Sequence, residues 1–215
     1  MKNLLIIGAR GYGRHVYNLI TDLPEFSKTF SVKGYLDDNE EALNEYLGYP
    51  PIIDTVENYR IQPDDVFVCA LGDVNYKKHY ASIILKKGGE FVNVIHPSSH
   101  IGLNSSIGIG CIIAYNVYID CDVKIGDFVT IQTNSVIGHD SNIGNWTMID
   151  SFGFTGGGAN IGNSVTVHTR ATIVPHKIVE NGAIINAGSI VIRNVKEGKT
   201  VMGNPAKEIL IPKIK

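Results

Sequence analysis

The sequence predicts a small α/β domain followed by a parallel β-helix. Two observations carry this. From Ile95 to Val191 every sixth residue is Ile or Val in 16 of 17 positions, the exception being Thr155. Over residues 1–93 that period is absent, and short apolar runs alternate with stretches of helical spacing. A period of six fits neither a helix nor a simple strand, but it fits a chain wound into stacked triangular coils.

In the first region, LLIIG (4–8) is a short apolar run ending in glycine, as in a buried strand. Val16, Leu19 and Ile20 then recur at helical spacing between Gly13 and Leu23. SVKGYLDD (31–38) reads as a second strand that ends in two carboxylates, and VFVCALG (66–72) as a third, buried one. NYKKHYASIILKKGG reads as a helix closed by Gly88 and Gly89, and FVNVI leads into the repeat. This order suggests a Rossmann-like, partly parallel sheet over residues 1–93.

Residues 94–202 form the repeat domain, with 203–215 as a tail. Glycine follows the ladder residue at 102, 108, 126, 138, 144 and 162, and is expected there to supply a left-handed corner. Two residues before a ladder position the side chain is usually small or Val, as at Ser135, Ser141 and Thr147. Both columns should point inward. Three units make one coil of 18 residues, and coils should stack about 4.8 Å apart, the spacing of paired strands.

Composition excludes several classes. With 215 residues, 19 basic and 21 acidic side chains and a net charge of −2, nothing marks a polyanion-binding surface, so no nucleic-acid partner is expected. No apolar run is long enough to span a membrane, and MKNLLIIGAR lacks a signal-peptide pattern. Cys69, Cys111 and Cys121 lack metal-ligand spacing and read as packing residues of a reduced, cytoplasmic protein. From His96 onward the histidines are separated by 4, 39, 29 and 8 residues, which does not form the zinc triplet that some β-helix prisms use; no metal is expected.

The most informative histidine is His139, at a corner and followed by Asp140. One coil further, Thr155 falls over Ile137, and Gly156-Gly157-Gly158 falls over Gly138-His139-Asp140. Acyl transfer to an amine or hydroxyl needs a base and a donor for the developing oxyanion. An imidazole titrating near neutrality suits the first role and a backbone N–H the second. Spacing alone also permits His139 to be an ordinary polar corner residue, with glycines that only relieve crowding. Upstream, G8-A-R-G11-Y-G13 after the first strand could cradle phosphate at a helix start or simply make a tight turn. Its GxxGxG spacing is not the dinucleotide fingerprint.

The hexapeptide ladder, together with GARGYG (8–13), GYLDD (34–38), CALGD (69–73), VIHP (94–97) and GNPAK (203–207), resembles the sialic acid O-acetyltransferase/nucleotide-amino-sugar N-acetyltransferase family. The resemblance implies a left-handed β-helix, a homotrimer, acetyl-CoA as co-substrate with no permanently bound cofactor, and a nucleotide-linked amino sugar as acceptor. It assigns His139 as general base with Asp140 beside it, and Gly157 as oxyanion donor. Substrate contacts fall at Arg10, Gly11, Tyr12, Asp37, Asp38 and Gly72, with Tyr12 standing where relatives commonly have histidine. Acetyl-CoA contacts fall at Met148, Gly157, Thr169, Ala187 and Lys207. The alternatives left open are transfer to a sugar or sialic acid hydroxyl and, from another class, a non-catalytic nucleotide-sugar-binding trimer.

Overall fold

The computed structural model describes residues 1–24 and 26–209 and divides into two compact units, Met1–Pro97 and Ser98–Lys215. The first unit contains β1 (Lys2–Ile7), α1 (Gly11–Thr21), α2 (Phe26–Thr29), β2 (Phe30–Leu36), β3 (Ile52–Asp54), β4 (Asp65–Cys69), α3 (Val74–Lys86) and β5 (Glu90–Phe91). Its strands form one sheet in the order β3-β2-β1-β4-β5, all parallel. β1 and β4 are buried along nearly their whole lengths, as continuous apolar runs in a two-sided sheet require. Val16, Leu19 and Ile20 of α1 and Ala81 and Ile84 of α3 are buried, the helical stripe that the spacing implies. Sequence reading missed β3, a three-residue strand directly after the Pro50-Pro51 pair.

A buried polar cluster ties this sheet together away from the loops that follow the strands. Lys33 Nζ donates to Tyr59 Oη at 2.6 Å, Tyr59 donates to Asp65 Oδ2 at 2.6 Å, and the Gln62 N–H reaches the same oxygen at 2.7 Å. These bonds hold the Asp65 carboxyl below its usual range although burial opposes them.

The second unit is a left-handed parallel β-helix with two-residue rungs on three faces. The first face stacks 100–101, 118–119, 136–137, 154–155, 172–173 and 190–191; the second stacks 106–107, 124–125, 142–143, 160–161 and 178–179. The third carries 112–113, 130–131, 148–149, 166–167 and 184–185 and continues into Thr200–Met202 and Lys207–Ile209. Each rung pairs in register with the residue one coil away, Ile119 with Ile137 and Ile137 with Thr155. From Cys111 to Ser189 both inward columns are buried at nearly every position, so the six-residue period is a core period.

The corners correct one expectation. The left-handed residue is not the glycine that follows the ladder but the residue two positions later: Asn104, Asn116, Asp122, Asn134 and Asp140, and even Phe128, Trp146 and Phe152. The glycines are needed for closeness instead. A Cβ on Gly102 would sit 2.4 Å from the Asp120 carbonyl carbon, and one on Gly138 would sit 2.6 Å from the Gly157 nitrogen. Stacked coils leave no room there for any side chain. Phe128 and Trp146, one coil apart, use their left-handed backbones to lie face to face at 4.1 Å.

Candidate active site

Each coil turns three corners, and they differ in how their backbone N–H groups are satisfied. At the second corner Asp127, Asn145, Asn163 and Asn181 form a ladder. The N–H of Asp127, Asn145 and Asn163 each donates to the side-chain oxygen one coil on, at 2.7–2.8 Å. At the first corner the equivalent column is Leu103, Cys121, His139, Gly157 and Pro175, which carries no such ladder. The Gly157 N–H has no hydrogen-bond partner among the described residues.

His139 projects from this corner with its side chain 56% exposed. Its Nδ1 lies 2.7 Å from Asp140 Oδ2. A carboxylate accepts only, so Nδ1 carries the proton of this hydrogen bond and Nε2 is the nitrogen left for another partner. The Asp140 hydrogen bond raises the His139 pKa above its ordinary value; Asp120, one coil below, adds to this by charge, while partial burial opposes it. Nε2 rests against Gly157, where an added Cβ would be 2.6 Å away. The neighbouring glycines are equally constrained. Gly156 backs onto Pro175, and Gly158 has φ +67° and faces the His176 ring. The corner therefore joins an imidazole, a carboxylate hydrogen-bonded to it and a backbone N–H with no partner among the described residues.

Thr155 does not touch this corner. It is fully buried in the ladder between Ile137 and Ile173, and its hydroxyl has no partner among the described residues. Its link to the site is through the backbone, where its carbonyl accepts the Gly138 N–H at 2.7 Å. The ladder break marks the coil of the site and not a group within it.

Of the residues expected to contact acetyl-CoA, only Gly157 lies at this corner. Met148 is buried on the third face, and Thr169 and Ala187 are stacked at the third corner, where Thr169 Oγ1 donates to the Ser151 carbonyl at 2.8 Å. Lys207 is exposed on the terminal hairpin. Beside Thr169 lies a second His–Asp pair that sequence reading passed over. His168 Nδ1 is 3.0 Å from Asp150 Oδ2, and Gln132 holds the other oxygen at 3.0 Å. The signal was available, since these three residues are spaced by whole coils.

The first unit has its own cleft of about 420 Å³, where the loops after β1, β2 and β4 meet α3. This is the carboxyl-end, switch-point position at which open α/β sheets bind ligands. Arg10, Tyr12, Asp37, Asp38 and Gly72 line it, whereas Gly11 opens α1, is exposed and is not among the lining residues. α1 opens at this cleft, and Arg10, its N-cap residue, makes no side-chain capping hydrogen bond among the described residues. Gly13 is compelled sterically, because a Cβ there would overlap the Gly8 carbonyl oxygen. Tyr12 stacks on His15, whose pKa is lowered by burial. Tyr76 and Tyr80 of α3, absent from the sequence-based assignment, form part of the wall.

Among the described residues no group of three or more His, Cys, Asp or Glu could hold a metal ion, and no helix is long and apolar enough to cross a membrane.

Comparison with known proteins matches each unit. Residues 3–84 match the PglD N-terminal domain and residues 92–191 the GMPPB C-terminal domain. A UDP-N-acetylbacillosamine N-acetyltransferase of Bacillus subtilis (strain 168) is 28% identical over 113 residues, 53% of this chain. The matched stretch spans about half, 51%, of that relative's length. Among solved structures, the acetyltransferase domain of PglB from Neisseria gonorrhoeae superposes with a TM-score of 0.87 at 24% identity, covering 97% of this chain and 100% of that one. A mutant of perosamine N-acetyltransferase from Caulobacter crescentus, in complex with CoA and GDP-perosamine, gives 0.86 at 22% identity, with 98% of both chains covered. These structural likenesses establish the fold.

Proposed function

We propose that this chain, whose fold and two-part build are those of the nucleotide-amino-sugar N-acetyltransferases, transfers acetyl from acetyl-CoA to the amine of a nucleotide-linked sugar for surface polysaccharide or glycan synthesis. The observation that carries this is the His139–Asp140 pair, with Nε2 against Gly157 and the Gly157 N–H unused.

In this reading both substrates bind before chemistry. His139 Nε2 takes a proton as the amine nitrogen attacks the thioester carbonyl, forming the C–N bond. The Gly157 N–H holds the oxyanion, and Asp140 keeps the ring in the required tautomer and stabilises the imidazolium. The C–S bond then breaks, and the CoA thiolate leaves and is protonated by His139 or solvent. The cleft lined by Arg10, Tyr12 and Asp38 supplies affinity for the nucleotide.

The same reading includes a cytoplasmic homotrimer. Thr169 and Ala187 lie at another edge of the prism than His139, so a coenzyme touching both of them and Gly157 must run between two copies, whereas Met148, buried on the third face, is not open to it. The first face also presents Tyr118 and Phe154, 44% and 41% exposed, with Val136 between them, an apolar stripe suited to such packing.

The test is release of free CoA from acetyl-CoA in the presence of UDP-, dTDP- and GDP-linked amino sugars. Release with at least one of them, lost in His139→Ala, is the expected result. Release with a sugar alcohol and with no amine would replace N-transfer by O-transfer.

A further inference from the structure

The two aspartates after β2 do different work. Asp37 is spent on the backbone: its Oδ2 accepts the Ala9 N–H at 2.7 Å and its Oδ1 the Asn39 N–H at 2.9 Å. These bonds fix the β1–α1 loop to the end of β2. Asp38 is exposed, and its only hydrogen bond among the described residues is from the Tyr80 hydroxyl to Oδ2, at 2.5 Å. Its Oδ1 is open. Tyr80 reaches it from α3, 42 residues away in sequence.

α3 is itself held at its start. The Asp73 side chain accepts the N–H groups of Asn75 and Tyr76 at 2.8 and 3.0 Å, an N-cap that fixes where the first turn points. Tyr76 and Tyr80 are four residues apart and therefore share a helix face, and both line the cleft. Tyr76 is 64% exposed, a flat aromatic surface with no ring stacked on it among the described residues.

We propose that Tyr80 is a positioning residue for nucleoside recognition: by donating to Asp38 Oδ2 it aims Oδ1 at an N–H or O–H donor of the nucleoside, whose base lies on Tyr76. The inference rests on the nucleotide-sugar reading above. A carboxylate with one oxygen tied cannot rotate freely, so the remaining oxygen is preorganised, and preorganised acceptors lose less entropy on binding. Asp38 in turn pushes the Tyr80 pKa up to about 12, mainly through the hydrogen bond itself. The phenol therefore stays protonated and donating across neutral pH. The donor it serves belongs either to the base (an imide N–H) or to the ribose (a hydroxyl); both present the same chemistry to Oδ1.

The experiment is calorimetric titration of the full chain with UDP, GDP, CDP and deoxy-UDP, followed by the variants Tyr80→Phe, Tyr76→Phe and Tyr76→Ala. A wild-type preference for UDP over CDP assigns the donor to the base, and for UDP over deoxy-UDP to the ribose. Tyr80→Phe keeps the ring and should weaken the preferred nucleotide by about tenfold or more. It should also reduce that preference, and with the sugar nucleotide it should raise KM while leaving kcat and the melting midpoint unchanged. Tyr76→Ala should weaken binding by a similar factor and Tyr76→Phe should restore it. Equal affinity and undiminished preference in Tyr80→Phe would overturn the inference while leaving the function standing. Failure of the wild-type chain to bind any of the four nucleotides would remove the nucleotide reading and the inference together.

Discussion

The imidazole of His139 lies over the Cα of Gly157, one coil away, so closely that the Cβ a larger residue would add falls 2.6 Å from Nε2. The distance couples the proposed base to the proposed oxyanion donor through the coil spacing itself. Any residue but glycine at 157 must push the ring aside.

Gly157→Ala should therefore fold and fail to work well. The colliding atoms belong to the exposed ring of His139, which can swing away, so the thermal midpoint should change by no more than a few degrees. Displacing the base by about 1 Å costs on the order of 10²-fold in rate. Steady-state kinetics beside a melting curve checks both; a parallel loss of stability would mean the glycine is structural.

His139→Ala should lose about 10²–10⁴ in kcat with the melting midpoint retained, the range for removing a general base. Near-full turnover would remove His139 from the mechanism.

The pH profile separates Asp140 from the base it orients. A general base works when unprotonated, and Asp140 raises the His139 pKa above its ordinary 6.5. Rate should then rise with pH along an acid limb centred above 6.5. Asp140→Asn removes the raising charge, so the limb should move to lower pH while the plateau falls. An unmoved limb would mean that another group titrates.

Thr155→Val should stabilise the protein. It exchanges a buried hydroxyl with no partner among the described residues for a methyl of similar shape, in a column that is otherwise aliphatic. Removing such a group is worth about 1–2 kcal/mol, seen as a higher denaturant midpoint. Activity should be unchanged, because the side chain faces the interior.

Asn163→Ala tests the second corner. The side chain accepts the Asn145 N–H, and the Asn163 N–H continues the ladder to Asn181. Losing one acceptor should cost about 1 kcal/mol in denaturant unfolding and leave kcat/KM intact. A large loss of activity would show that this edge also serves the reaction.

The ladder, the coil length and the stacking of Gly157 on His139 were readable from residues alone. In a β-helix the inward direction repeats with the backbone, so a period in sequence is a period in space. The corner geometry was misjudged for a related reason. Glycine suggests a left-handed backbone, but at Gly102 and Gly138 the constraint is the approach of the next coil, which no single turn reveals. The Tyr80–Asp38 bond was invisible because it joins α3 to β2 across the sheet, and no periodicity links the two.

By itself, the sequence determined the two-part fold, the coil that holds the proposed base and the glycine that faces it. These follow from local repetition, and hydrophobic burial imposes the same choice at every rung. Only the tertiary structure decided which nitrogen of His139 meets Asp140, that among the described residues the Gly157 N–H has no partner while those of Asp127, Asn145 and Asn163 are taken, that Thr155 faces inward, and that Asp37 ties a loop while only one Asp38 oxygen is bonded. Each of these depends on which polar groups meet after distant segments pack, and hydrogen bonds are short and directional enough that spacing alone does not assign them.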